Sequence, residues 1–199
     1  GYSLNVCLKS ILFILSKMTK SNNFLKNSII YFIFLIFFIV GITIFKDFGI
    51  SVDEEFQRFS GFYWLNYTLD FTPFKSFQED VTTRLSKIEG FTLPDPKDFP
   101  FYGVIFDLPL AFLETIFNIQ NEKNYFLLRH FLNFIVFFIG SIFFYKILDN
   151  RFKNQKIIII GLLLYISSPR IFGDSFFNNK DIIFLSLVTI VFYYKFKLI

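Results

Sequence analysis

The sequence holds a single cysteine, Cys7, and a single histidine, His130. A disulfide framework needs cysteines in pairs, and Cys-based zinc sites and multi-His metal centres need several ligands, so none of these is open to the chain. Charge is scarce too: Asp, Glu, Lys and Arg make up 18% of the 199 residues, against about 25% in ordinary soluble domains. That shortage argues against a water-soluble globule. Hydrophobic residues fill 54% of the positions, and 34 residues are Phe. An AT-rich genome would also enrich Phe, Ile, Asn and Lys, so the abundance of Phe carries little by itself. The net charge of +4 does not point to nucleic acid, because the basic residues are spread among apolar runs rather than gathered in one patch.

Those apolar runs read as membrane spans. Residues 28–45, SIIYFIFLIFFIVGITIF, are uncharged and about as long as a helix must be to cross ~30 Å of hydrocarbon. Residues 125–148 give a second span, with Arg129 and His130 near one end and Lys146 near the other. Residues 156–169 give a short third, and 182–197 a fourth. The stretch 101–119 is apolar but contains Asp107, Pro109 and Glu114; a carboxylate at a helix centre costs about 2.5 to 3.5 kcal/mol on insertion scales, so it is placed at the interface instead. Residues 46–124 then form one large outer loop with 13 acidic and 7 basic residues, and 169–181 a short second outer loop. Lys146, Arg151, Lys153 and Lys156 fall inside with Lys195 and Lys197, as the positive-inside rule requires. The expectation is an all-α membrane protein with four transmembrane helices, interfacial helices in the first outer loop, and both ends cytoplasmic. Residues 1–27 read as a basic cytoplasmic leader, with Met18 as the natural start. Residues 28–199 read as the amino-terminal part of a longer multi-pass protein.

The outer loops hold the chemistry. Ser51 and Glu54 have capping-box spacing, and Phe56, Phe59, Tyr63 and Tyr67 recur at helical intervals, which predicts a helix lying on the membrane surface with its aromatic face at the headgroups. Asp53, Glu54 and Glu55 crowd its first turn. They favour the helix dipole there, and they also suit general-base work or the holding of a metal at the membrane face. Residues 72–100 form a polar, proline-rich loop, within which TLPDPKDFP reads as extended or turning chain rather than core. Arg129 stands near the outer end of the second span, where it can snorkel to the headgroups or meet a phosphate with its guanidinium fork. The second outer loop packs Arg170, Asp174, Lys180 and Asp181 between two spans, and ionisable groups so placed are costly unless paired or used.

Taken together, the acidic pair after the first span, the proline-containing apolar return, the Leu-Leu-Arg entry to the second span and SPRIFGDSFFNNKDI before the fourth resemble family 39 glycosyltransferases. These are C-type membrane enzymes that include protein O-mannosyltransferases and the aminoarabinose transferase of lipid A. The resemblance covers residues 28–197. It implies a polyprenyl-phosphate sugar donor, a protein, lipid or glycan acceptor hydroxyl, and an active site on the outer face of a bacterial inner membrane. It assigns Asp53 as catalytic base, Glu54 and Asp181 as further catalytic carboxylates, and Arg129, Arg170 and Lys180 as partners of the lipid phosphate. Asp174 is a weaker candidate, and the resembling enzymes differ in whether they need a divalent metal. The return reads Phe106, Asp107, Leu108, Pro109, Leu110, departing from the His-Pro-Pro-Leu form of the family. A transporter or channel component, or a membrane fragment without activity, is the alternative. This piece alone is expected to be inactive.

Overall fold

The computed structural model describes residues 28–88, 93–99 and 103–198, and among them the protein is helical throughout, without a strand. The basic leader and Met18 lie outside the described residues. Helix α1 runs Ser28–Asp47, its final residues Phe45–Asp47 tightening into a 3-10 turn. After it come α2 (Val52–Leu69), α3 (Lys75–Ile88), a 3-10 turn at Pro96–Asp98 and α4 (Asp107–Ile116). The chain then enters α5 (Glu122–Arg151), α6 (Gln155–Ser167), α7 (Pro169–Phe177) and α8 (Asp181–Leu198).

Two of these, α1 and α5, are long and apolar enough to cross a membrane, and a third crossing counts if α6 and α7 are one span bent by 52°. The bend has a local cause. Pro169 has no N–H to give to the preceding turn, and Ser168 before it takes ψ 118°, outside the helical region. Most of the stretch expected as the second outer loop is therefore helix. Helix α8 carries Asp181, Lys195 and Lys197 within its eighteen residues and does not meet the same standard of length and apolarity. Helix α4, with ten residues, rises about 15 Å and is too short to span.

The spanning helices pack through aromatic rings. Phe37 on α1, Phe134 and Phe137 on α5, Leu162 and Ile166 on α6, Phe176 on α7 and Ile182 on α8 form one buried cluster. At its centre the Phe134 ring stacks on Phe176 with centroids 5.3 Å apart, and Phe37 meets Phe134 edge-on at 5.5 Å. Offset and edge-on pairs of this kind add about 0.5 to 1.5 kcal/mol each beyond the area they bury. Helices α5 and α8 approach closely because Gly140 faces Ser186: a Cβ on Gly140 would lie 2.8 Å from that of Ser186. Small residues at such crossings let helices pack where lipid supplies no hydrophobic drive. The opposite side of α1, with Tyr31, Phe32, Leu35 and Ile36, is exposed, as a lipid-facing side is.

A second core lies between the first two span-length helices in the chain. Phe59, Phe62, Leu65 and Leu69 of α2 are buried against Val81, Leu85 and Ile88 of α3 and Ala111 of α4; of the aromatic face expected on α2, Phe59 is buried there, Phe56 and Tyr63 pack half-buried against the same core, and Tyr67 is exposed. The polar loop 72–100 contains a helix the sequence reading did not expect, α3, whose buried Val81, Leu85 and Ile88 recur at helical spacing, while the described part of TLPDPKDFP is irregular chain with one 3-10 turn. The loop is thus a small three-helix bundle. Its tightest contact is between α2 and α4, where a Cβ on Gly61 would come within 2.5 Å of the Asp107 carbonyl oxygen. Only glycine allows that approach, and it is what brings the start of α4 onto α2.

Candidate functional site

The first turn of α2 sets the site. The Ser51 backbone N–H donates to Glu54 Oε2 at 2.7 Å, the return half of a capping box, which satisfies a donor left over at the helix start. Residues 53 and 54 then point different ways. Glu54 is 1% exposed and turns inward, where its Oε1 lies 3.0 Å from His130 Nε2 on α5. Asp53 is exposed and lines a cavity of about 220 Å³ with Ser51, Gln57, Asn178, Lys180 and Asp181. The segment after α1 and the link into α8 therefore contribute a carboxylate each to one cavity.

Asp181 reaches it through the cap of α8. Asn178 Oδ1 accepts from the Asp181 backbone N–H at 2.9 Å, and its amide nitrogen donates to Asp181 Oδ2 at 3.1 Å. That double contact fixes both the helix start and the carboxylate orientation. Gln57, one turn along α2 from Asp53, also lines the cavity and was not singled out by the sequence reading; its Oε1 is buried with no hydrogen-bond partner among the described residues.

Behind the cavity is a buried ionic cluster. Arg129 donates through Nη2 to Asp107 Oδ1, and Asn179 Nδ2 donates to the same oxygen at 2.9 Å. Burial pushes the Asp107 carboxyl up to about 6, against the pull of the Arg129 guanidinium, and the charge of Glu54 adds to the rise. Asn133, one turn beyond Arg129 and His130 on α5, donates to the Asp174 carbonyl oxygen at 3.4 Å. Arg129 Nε and Nη1, His130 Nδ1, Asn133 Oδ1 and Asn179 Oδ1 have no partners among the described residues.

No family model, curated protein or solved structure matches this chain. The site therefore has to be judged on its own geometry. Asp53, Asp181 and Lys180 share the cavity. Glu54, Arg129, Arg170 and Asp174 do not line it. Glu54 is held by the α2 cap and His130. Arg129 is 2% exposed and engaged by Asp107. Arg170 extends into solvent 3.7 Å from Asp174, one turn along α7, and an exposed pair of this kind is worth little. Among the described residues no group of three or more His, Cys, Asp or Glu side chains is placed to hold a metal.

A different cluster, on α2, α3, α4 and α5, does structural work. Arg58 donates to buried Glu114 through Nε at 3.1 Å and Nη2 at 2.5 Å, with its guanidinium 3.7 Å over the Tyr125 ring. Arg84 donates to the Ile119 carbonyl at 2.6 Å and to Asn118 Oδ1 at 2.8 Å. These bonds pin the turn between α4 and α5, including Asn118 at φ 49°, and so set the position from which α5 begins. Sequence reading passed over Arg58 and Arg84, and took Glu114 only as a bar to spanning, because their partners are distant in the chain.

Proposed function

We propose that the protein is a membrane glycosyltransferase that moves a sugar from a polyprenyl-phosphate donor to an acceptor hydroxyl on the outer face, with Asp53 as general base. The observation that carries this reading is the meeting of Asp53, Asp181 and Lys180, from two separate outer loops, at one cavity on the spanning bundle. Asp53 takes the proton of the acceptor hydroxyl as its oxygen attacks the anomeric carbon. The bond from that carbon to the phosphate oxygen breaks on the opposite side, so configuration inverts. Lys180 offsets charge on the departing phosphate, and Asp181 orients the acceptor. Glu54 acts indirectly, by fixing the first turn of α2 on which Asp53 stands.

The test is transfer from a polyprenyl-phosphate sugar in membranes that carry the protein as its natural gene encodes it. Asp53→Asn keeps the shape of the side chain but cannot take the proton, so transfer should fall by about 10² to 10⁴-fold at equal protein level. Loss of a dipole contact at the helix start is worth only about 0.3 to 1 kcal/mol, a few-fold at most. Activity near that of wild type would make Asp53 a capping residue and end the assignment.

A further inference from the structure

Asp181 and Lys180 reach the cavity on a short link between α7 and α8, and that link is tied down from below. Asn178 shapes it locally through the Asp181 cap. Asn179, 5% exposed, turns the other way and donates its amide to Asp107 at the start of α4. Asp107 in turn is engaged by Arg129 of α5, and its backbone rests on Gly61 of α2, the helix that carries Asp53. One carboxylate thus connects all the elements that supply the cavity. Neither Asp107 nor Asn179 lines the cavity itself.

We propose that Asn179 and Asp107 are positioning residues: their hydrogen bond, held in register by Arg129, docks the α7–α8 link against α2 and so brings Asp181 and Lys180 to Asp53. The catalytic meaning of that docking rests on the transferase reading; the docking itself does not. The backbone bonds of the link run to its own neighbours in α7 and α8, whereas Asn179 reaches a different part of the chain through a hydrogen bond to a buried carboxylate, among the stronger ones a neutral amide makes. Two adjacent asparagines divide the task, Asn178 orienting the Asp181 side chain and Asn179 anchoring the backbone that carries it.

The experiment measures docking without relying on transfer. In a Cys7→Ser background, Asp53→Cys and Asp181→Cys are joined by a short bismaleimide in membranes. A control pair, Phe143→Cys and Tyr193→Cys, reports on α5–α8 packing where the two rings lie 5.3 Å apart. Asn179→Ala leaves the Asp107 and Arg129 pair intact, and should lower the 53–181 yield roughly three- to tenfold while the control yield holds. Asn179→Asp, which sets a second carboxylate beside Asp107, should lower it further, and Asn179→Ser, which keeps a donor, should recover part of it. With native Asp53 and Asp181, Asn179→Ala should reduce kcat roughly tenfold with little change in the donor KM. An unchanged 53–181 yield, or equal loss at both pairs, overturns the proposal. Absence of any transfer by the wild type would overturn the transferase reading alone, since the cross-linking still reports on docking.

Discussion

At the scale of single residues, the molecule is governed by where it buries charge. Glu54, Asp107, Glu114, Arg129 and His130 are all buried, and each has at least one charged or ionisable partner. Asp107 shows what burial costs. Its pKa of about 6 lies above the ordinary aspartate value near 3.9, so the folded state favours the protonated acid. By linkage this group's stabilising contribution is complete below about pH 4 and is lost as pH rises through about 6. The unfolding temperature in detergent should therefore fall between pH 4 and pH 6.5 by more in the wild type than in Asp107→Asn, which has no proton to lose. A slope unchanged by that substitution would show that the charge of Asp107 does not control the window. None of this was legible in sequence. Arg129 and Asp107 stand 22 positions apart, and Glu54 and His130 stand 76 apart, so no local spacing announces either pair. Sequence alone offered Arg129 the headgroups or a phosphate; the partner it has in the fold is Asp107.

At the scale of elements, periodicity told more. The uncharged run at 28–45 and the long run at 125–148 correspond to α1 and α5, and Ser51 with Glu54 marked the start of α2. Helix α3 went unread because its few apolar residues, Val81, Leu85 and Ile88, sit in a polar, proline-flanked stretch, even though their spacing is helical. The aromatic residues of α2 are ambiguous for a different reason: a stripe that suits a membrane surface also suits a partner helix, and here Phe59 is buried in the core with α3 and α4 while Tyr67 stays exposed. The α2–α4 contact gives a direct test. Gly61→Ala would press a Cβ to 2.5 Å from a backbone oxygen that cannot turn away, whereas a Cβ at Gly49 meets nothing within 4 Å. Gly61→Ala should cost about 1 to 3 kcal/mol in thermal unfolding, and Gly49→Ala close to none. Equal effects of the two would mean that α4 has room to shift away from α2.

At the scale of the whole molecule, the described helices fall into a bundle built on the span-length helices α1 and α5 and a smaller bundle of α2, α3 and α4, joined by α5. Cysteine accessibility checks the orientation: a Cys at position 152, just past α5, should be labelled only after permeabilisation, and one at position 95 should be labelled in intact cells. The reverse pattern would put the carboxylate cavity on the inner face. Helix α5 has thirty residues and is about 45 Å long, against ~30 Å of hydrocarbon. Its first turns lie toward the smaller bundle, because Arg129 and His130 sit about 12 Å from its first residue among the groups that support the cavity. One rigid rod therefore joins the bilayer to the buried charges, and a change in lipid thickness that alters its tilt acts on those charges directly. Reconstitution in bilayers of increasing acyl length should change the 53–181 cross-linking yield progressively while leaving the 143–193 yield constant, making the cavity a gauge of membrane thickness; the same 53–181 yield at every length would show that the smaller bundle moves with the rod as a unit.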